Sequence, residues 1–379
     1  MNSTASKRHL KVAIAAGGTA GHINPALALA DELKSRGHEV VFVGQPKRKE
    51  GELVAEAGLE LIPITVSGFD RSRPWTALTA LIRMRLAESS LKKTFEAQGK
   101  PDIAIGFGAY VEVPLVRYCA HNHIEYLLHE QNSVPGLANK LSAKQATAVC
   151  VSQSCALDAF EGLIGHSTQL VVTGNPVRQS ILKADAHEGR AYYQIPDDAT
   201  LFLIFGGSLG AKHLNEGIAA LKDKLLAKED VYIIHSTGVD DFERTNALLN
   251  LTEEEKKRWH VVDYIHNMGN VLSAADLVLS RSGASSIAEL AALGKPSILV
   301  PYPHATANHQ LTNAQALVDT GAAVLILDDE IDTDKFGATI LYYLDSAEAR
   351  SKMAACARGL GQDRAAINLA DQVERQAHI

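Results

Sequence analysis

Short runs of β-branched and aliphatic residues recur along the chain, each followed by a longer stretch whose apolar positions have helical spacing. Strands buried on both faces read as continuous apolar runs, so this alternation predicts parallel sheets with helices on both sides. Seven such runs fill the first half, at 10–15, 39–43, 61–66, 102–106, 124–128, 147–151 and 170–173. After Gly174-Asn175-Pro176-Val177-Arg178 and a polar stretch over 183–200 the pattern restarts, at 201–205, 231–235, 260–264, 277–280, 297–301 and 322–327. The expected fold class is α/β, with two Rossmann-like, doubly wound parallel-sheet domains facing a cleft. Their expected bounds are 1–178 and 179–358, with a last helix at about 359–379 that no strand follows and that is free to pack back on the first domain.

Both halves open with a strand, a glycine-rich turn and a helix, an arrangement that aims backbone N–H groups and the positive end of a helix dipole at an anion. The first turn reads Gly17-Gly18-Thr19-Ala20-Gly21-His22, with a helix start expected at Asn24-Pro25. Its G-G-x-x-G spacing, and a second strand ending Val43-Gly44-Gln45 without an acid for a ribose, argue against a nicotinamide dinucleotide. His22 sits where a positive field disfavours the imidazolium, so it reads as a neutral base, or equally as a helix cap or phosphate ligand. Gly106-Phe107-Gly108-Ala109-Tyr110 is a second, weaker glycine-rich segment. His129-Glu130-Gln131-Asn132 crowds polar groups after a strand, either to meet a sugar or acceptor or to hold its own loop.

In the second half Gly206-Gly207-Ser208-Leu209-Gly210-Ala211 combines three glycines, a hydroxyl and an immediate helix, which suits a diphosphate. Arg178 and Arg281 stand at strand ends as phosphate contacts or surface ion pairs. Glu289 offers a carboxylate to adjacent hydroxyls such as those of a ribose, and Asn308-His309-Gln310 follows the next strand. Together these read as a sugar-nucleotide site.

Composition narrows the picture. In 379 residues, 37 Lys+Arg against 44 Asp+Glu give a net charge of -7, which argues against a general nucleic-acid binder. The four cysteines form no C-x-x-C pair, so neither a zinc site nor a disulfide framework is expected, and a reducing cytoplasm fits. No apolar run approaches the roughly 18 residues of a spanning helix, and the N-terminus lacks a cleavage pattern. One segment departs from the acidic average: Arg71, Arg73, Arg83, Arg85, Lys92 and Lys93 surround Glu88. Trp75, Leu78, Ile82 and Leu86 fall on one helical stripe there, flanked by Arg83 and Arg85. Such a stripe either packs on its own domain or lies on an anionic membrane surface.

In order along nearly the whole chain, GGTAGH at Gly17, GFGAY at Gly106, HEQN at His129, GNPVR at Gly174, GGSLGA at Gly206, RSGASSIAE at Arg281 and NHQ at Asn308 resemble the MurG family. These are the peptidoglycan GlcNAc transferases of glycosyltransferase family 28, with the two-domain GT-B fold. Ala20 and Leu209 depart from the family's usual Gly and Gln. The resemblance implies a UDP-GlcNAc donor held by Ser208, Gly210 and Arg178 at its diphosphate, Glu289 at its ribose, Ile265 at its uracil, and His309 and Gln310 at its sugar. Arg281, Thr19, Gly21 and Asn132 complete the donor set. It implies a lipid I acceptor, the undecaprenyl-pyrophosphoryl MurNAc-pentapeptide, near Gly18, Gly106, Gly108, Tyr110, His129 and Glu130. His22 becomes the base for the attacking 4-hydroxyl, no metal or cofactor is required, and the basic segment becomes a docking face. Implied with it are a peripheral location on the cytoplasmic face of the membrane and partners among cell-wall synthesis and division proteins. Open alternatives are another lipid acceptor such as diacylglycerol, a UDP-GlcNAc 2-epimerase of the same fold, or a two-domain sugar-binding protein.

Overall fold

A computed structural model describes residues 9–68, 76–207, 210–360 and 362–378. The first sheet contains β1 (Lys11–Ala15), β2 (Glu39–Gly44), β3 (Glu60–Pro63), β4 (Ile103–Gly106), β5 (Glu125–Glu130), β6 (Ala148–Val151) and β7 (Gln169–Val172). All pair in parallel, in the order β3-β2-β1-β4-β5-β6-β7. The second contains β8 (Thr200–Phe205), β9 (Val231–Ser236), β10 (Trp259–Val262), β11 (Leu277–Ser280), β12 (Ser297–Leu299) and β13 (Ala323–Leu325), again parallel, in the order β10-β9-β8-β11-β12-β13. All thirteen expected strands are present, and most ends move by one to three residues; β3 stops at Pro63, whose ring nitrogen has no hydrogen to donate.

Each sheet is covered on both faces. In β1, Val12 and Ile14 pack with Leu29 and Leu33 on one side, while Ala13 and Ala15 pack with Phe95 and Leu115 on the other. The covering helices of the first sheet include α1 (Ala20–Ser35), α2 (Lys49–Glu56), α3 (Thr76–Gln98), α4 (Ala109–His121) and the short α5 (Leu137–Ser142).

Two compact units result, one of Met1–Arg178 with Arg364–Ile379, the other of Gln179–Asp363. The helix Ala365–Gln376 belongs to the first. Its Leu369, Ala370 and Val373 join the core of Ile14 and Leu29, and Asp371 and Glu374 meet Arg36 at 2.7 and 3.0 Å. His38 adds a contact to Glu374 at 3.0 Å. Strand order reverses once in each sheet, between β1 and β4 and between β8 and β11. Loops diverge there at the carboxyl ends of the strands, which is where open α/β sheets bind ligands.

Candidate active site

At the first reversal, α1 begins at Ala20, with Thr19 as its N-cap. That is earlier than the start expected at Asn24-Pro25. Pro25 is tolerated inside the helix at the cost of the hydrogen bond its nitrogen would have made to Gly21, and its ring is buried. His22 thus occupies the first turn of α1 and is half-buried, with Nδ1 2.9 Å from Thr19 Oγ1. A proton on Nδ1 donated to that hydroxyl leaves Nε2 as the basic nitrogen. The ring lies on Gly108: a Cβ there would come within 3.1 Å of His22 Cδ2, and the φ of +83° is one that only glycine adopts freely.

Three carboxylates lie buried beneath these turns. Glu50 reaches the Gly18 N–H at 3.4 Å and the Gln45 N–H at 3.3 Å. Glu112, in the first turn of α4, accepts from the Gly108 N–H at 2.6 Å. Glu130 accepts from Asn132 N–H at 3.0 Å, Gly136 N–H at 2.9 Å and Asn139 Nδ2 at 2.8 Å. The donors of Gly18 and Gly108 are therefore already occupied by the protein's own carboxylates. Gly106 ends β4, and its lack of a side chain makes room for Glu112, whose Oε2 a Cβ would meet at 2.5 Å.

His129 and Glu130 are not in the loop where the sequence pointed. They are the last two residues of β5 and are buried, because the strand runs on to Glu130. Burial pushes the His129 imidazole down to about 4, so it is neutral at pH 7. Its Nε2 donates to Gly174 O at 3.0 Å, and Nδ1 accepts from Gln131 at 3.1 Å, while its ring stacks on Phe107 at 5.1 Å. In this conformation neither side chain has surface to offer a ligand. Asn132 lies just beyond them, and the Tyr110 ring packs over Gly68.

The second reversal is built on β8. Gly206 and Gly207 follow the strand, Ser208 and Leu209 lie outside the described residues, and Gly210 precedes the helix Lys212–Ala220. At Gly210, φ is +75° and a Cβ would strike Thr237 O at 2.1 Å, so no other residue fits. Asn215 ties that helix to the end of β9 through Thr237 O at 3.0 Å and His235 Nε2 at 2.9 Å. A cavity of about 770 Å³ opens beside the turn, lined among others by Lys212, His213, Arg281, Tyr302, Gln310 and Asp328.

Arg281 is neither on the surface nor free. Its guanidinium is buried against Asp328 at 2.5 Å, donates to Val300 O and Pro301 O at 3.2 and 3.1 Å, and lies 5.7 Å from the Tyr302 ring. Burial pushes the Asp328 carboxyl up, but hydrogen bonds from His213 and Arg281 outweigh it and hold it below its ordinary value. His213 bridges Asp328 at 2.8 Å and Asp332 at 3.2 Å; the bond to Asp328 leads the causes that raise its pKa. Lys212, His213, Tyr302 and Asp328 were not among the residues singled out from sequence. Only the place of Lys212-His213 directly after the glycine turn signals them.

Other residues of the expected donor set fall on the same end of this sheet. Glu289 is half-buried on the helix Ala284–Ala292, which follows β11. Two successive non-glycine residues with positive φ, Ala307 at +52° and Asn308 at +56°, set up the turn into His309 and Gln310. His309 Nδ1 lies 2.7 Å from Thr306 O, and Gln310 Oε1 accepts from Tyr302 N–H at 2.9 Å. The Ile265 side chain is buried in the core, which leaves only its main chain to meet a base. Arg178 is half-buried at the end of the first unit's contiguous span, and its Nε has no hydrogen-bond partner among the described residues. Among those residues no group of three or more His, Cys, Asp or Glu converges as a metal site.

On α3 the apolar stripe does not pack on its own unit. Leu78, Ile82 and Leu86 are exposed at 65%, 49% and 64%, while the opposite face of the helix buries Ala80, Ala87, Leu91 and Phe95. Arg83 and Arg85 are exposed as well. Trp75, Arg71 and Arg73 lie outside the described residues. No helix of the described residues is long and apolar enough to cross a membrane.

Residues 12–151 match the family model for the glycosyltransferase family 28 N-terminal domain, and residues 201–372 match that for the C-terminal domain. A curated protein of Desulforudis audaxviator is 38% identical over 379 residues, 97% of this chain and 99% of the relative. It is named UDP-N-acetylglucosamine--N-acetylmuramyl-(pentapeptide) pyrophosphoryl-undecaprenol N-acetylglucosamine transferase. A protein of the same name from Moorella thermoacetica is 35% identical, over 93% of this chain and 95% of the relative. The crystal structure of Acinetobacter baumannii MurG superposes with a TM-score of 0.73 at 28% identity, covering 97% of this chain and 99% of that one. A putative UDP-N-acetylglucosamine 2-epimerase from Listeria monocytogenes superposes with a TM-score of 0.71 at 16% identity, a likeness of fold alone. The two parallel α/β sheets are thus those of GT-B glycosyltransferases, and the chain belongs to glycosyltransferase family 28.

Proposed function

We propose that the protein transfers GlcNAc from UDP-GlcNAc to the 4-hydroxyl of the MurNAc of lipid I, with inversion, forming lipid II for peptidoglycan. The observation that carries this reading is the likeness, over nearly the full length of both chains, to curated relatives that bear the name of that activity.

The donor belongs mainly to the second unit. The N–H groups around Gly206–Gly210, with Ser208 and Arg178, bind the diphosphate, and a glycine turn that opens a helix is suited to that charge. Glu289 holds the ribose hydroxyls, the main chain of Ile265 the uracil, and His309 and Gln310 the sugar hydroxyls. Thr19, Gly21 and Asn132 complete the donor contacts. Arg281 acts through its clamp on Asp328 and on the loop after β12, which supports Tyr302 and, through it, Gln310.

The acceptor belongs to the first unit, at the turns of Gly18, Gly106, Gly108 and Tyr110. His22 Nε2 takes the proton of the 4-hydroxyl as its oxygen attacks the anomeric carbon. The bond from that carbon to the diphosphate breaks, and UDP leaves with the charge. An oxocarbenium-like transition state develops, and backbone N–H groups with Arg178 stabilise the departing diphosphate. These groups carry out the reaction without an obligatory divalent ion. His129 and Glu130 contribute by fixing the loop that carries Asn132.

The same reading brings the enzyme to the membrane, since the acceptor is lipid-linked. Leu78, Ile82 and Leu86, with Trp75, Arg83 and Arg85, form the docking face on anionic lipid at the cytoplasmic surface, a reversible attachment. A groove of about 470 Å³ beside it contains Glu88, paired with Arg117 and His121, and from its edge Arg85 and Lys92 add to the positive rim. Cell-wall synthesis and division proteins are the expected partners there. Replacing Leu78 and Ile82 by Ser should weaken sedimentation with phosphatidylglycerol vesicles while leaving UDP binding intact; unchanged sedimentation would reject the face.

One product assay tests the reaction itself. UDP-GlcNAc is supplied alone, with a soluble lipid I analogue, and with diacylglycerol. Disaccharide formation with the lipid I analogue only is expected. Glycosylated diacylglycerol would reassign the acceptor, and epimerisation of UDP-GlcNAc alone would reassign the reaction.

A further inference from the structure

Glu112 is a buried acid that the reaction above does not use. It is 0% exposed, in the first turn of α4, and it accepts one hydrogen bond, from Gly108 N–H to Oε2 at 2.6 Å. Its Oε1 is buried with no partner among the described residues. A short apolar residue would fill this place with less penalty, because a buried carboxyl without a full set of donors is costly. What the carboxyl gains is its grip on Gly108. That residue takes φ +83° without strain, but Ala109 beside it takes φ +62°, a left-handed position that needs an outside hold. Gly108 is also the surface on which the His22 ring rests.

We propose that Glu112 is a positioning residue for His22: its carboxyl clamps the Gly108 N–H and, through Gly108, fixes the face against which the imidazole packs. This inference rests on the role of His22 in the proposed transfer.

The clamp depends on the state of the acid. Of the elements packed on α4, β5 presents Glu130 and Tyr126, and β4 presents Gly106. The turn after β1 brings His22 over Gly108, and Glu50 from α2 lies beneath Gly17. From α5 comes the neutral amide of Asn139, while α3 meets α4 further along, where Glu88 pairs with Arg117 and His121. No cation is among the groups that set Glu112. Burial, opposed by the hydrogen bond from Gly108 N–H and aided by the neighbouring Glu130, pushes Glu112 up to about 8. Below that pH the neutral acid holds Gly108. Ionisation strengthens the Gly108 bond itself but leaves a buried charge with no donor for Oε1; burial is the larger of the two effects, so the ionised side chain is driven toward water and away from the turn.

The test compares the wild type with Glu112→Gln and Glu112→Ala. The rate of transfer to a soluble lipid I analogue at saturating UDP-GlcNAc is followed from pH 6 to 10, and the Gly108 amide is followed by 1H–15N NMR over the same range. The wild-type kcat should fall about fivefold from pH 8 to pH 9, as expected of an essential acid that titrates near 8. Glu112→Gln, which keeps a neutral acceptor of the same shape, should retain the pH 7 rate within about twofold and lose that fall. Glu112→Ala should lower kcat about tenfold at pH 7 with the KM for UDP-GlcNAc unchanged. An alkaline fall that persists in Glu112→Gln, or a wild-type kcat in Glu112→Ala, overturns the inference. Should the wild type not transfer to lipid I at all, the proposed function fails, and the amide decides the clamp separately. A Gly108 shift that titrates near pH 8 in the wild type and stays flat in Glu112→Gln supports it; a flat shift in both overturns it.

Discussion

The glycine turns of the two units share a topology and differ in what surrounds them. Each follows the strand at which its sheet reverses order. Around the first lie three buried acids, Glu50, Glu112 and Glu130, two of which already fill the N–H groups of Gly18 and Gly108. Around the second lie Lys212, His213 and Arg281, with Glu216 and with Asp328, which pairs with His213 and Arg281, beside an open cavity of about 770 Å³. A glycine turn before a helix invites an anion only when the protein has not supplied one itself. The N–H groups of Gly18 and Gly108 are filled from within the protein, which supports the proposed assignment of the diphosphate to the second turn and of the acceptor, with His22 as its base, to the first.

Replacing His22 by Ala should have the largest effect on that contrast. Loss of a general base should lower kcat by about 10²–10⁴-fold, with UDP-GlcNAc affinity unchanged by calorimetry. Loss of donor binding with kcat preserved would move His22 to the phosphate side and erase the distinction between the turns.

Arg281→Ala tests the cationic side. It leaves the half-buried Asp328 with His213 but without Arg281, and the loop after β12 without the two carbonyl contacts. Removing one hydrogen-bond partner of a half-buried carboxylate that keeps another costs about 1.5–3 kcal/mol. Denaturant unfolding should register that loss, with donor binding weakened because Gln310 is tied to the same loop. A change below about 1 kcal/mol would mean the pair is solvated and the cavity is not held by it.

Glu112→Gln carries the comparison into pH. The Glu112 acid has a folded value of about 8 against an ordinary 4.5. The folded chain therefore holds a proton that the unfolded chain has lost, and the stability this gives is full below 4.5 and declines as pH rises toward 8. At about 1.4 kcal/mol per pH unit the decline reaches at most about 5 kcal/mol. Thermal unfolding of Glu112→Gln should lack this decline and overtake the wild type toward pH 8. Parallel curves would place the carboxyl in contact with water.

His213→Asn should have the smallest effect. The folded pKa of His213 is raised, so its contribution is present below the ordinary value of 6.5 and lost as pH rises through the folded value. With about a third of the side chain exposed, screening limits the contribution to about 0.5 kcal/mol. The difference in stability between His213→Asn and the wild type should shrink with pH; a constant difference would make the role one of packing.

Much of this was legible before the structure. Strands buried on both faces leave uninterrupted runs such as Val40-Val41-Phe42-Val43, which no helix on a surface imitates, and all thirteen were found. The glycine turns and the cluster of donor candidates follow from their places at strand ends. The occupants of the turns were not legible. Glu112 is four residues from Gly108, but Glu50 lies 32 residues from Gly18 and Asp328 lies 47 from Arg281, pairings that only the sheet brings together. The start of α1 was misjudged because Pro25 reads as a first-turn residue, yet it sits a turn further in. His129 and Glu130 read as loop because polar residues seldom end a buried strand; their partners Gly174 and Asn139 come from the loop after β7 and from α5. The exposed stripe on α3 could not be told from a packed one, since both have the same periodicity and only the burial of Ala80, Ala87, Leu91 and Phe95 on the other face separates them.

The central claim is that the second turn holds a nucleotide donor and that chemistry waits for an acceptor at the first. UDP release from UDP-GlcNAc, measured with and without a soluble lipid I analogue in the presence of EDTA, addresses it most directly. The account predicts release that requires the analogue and is undiminished by the chelator. Release that is the same without acceptor, or that EDTA abolishes, would contradict it.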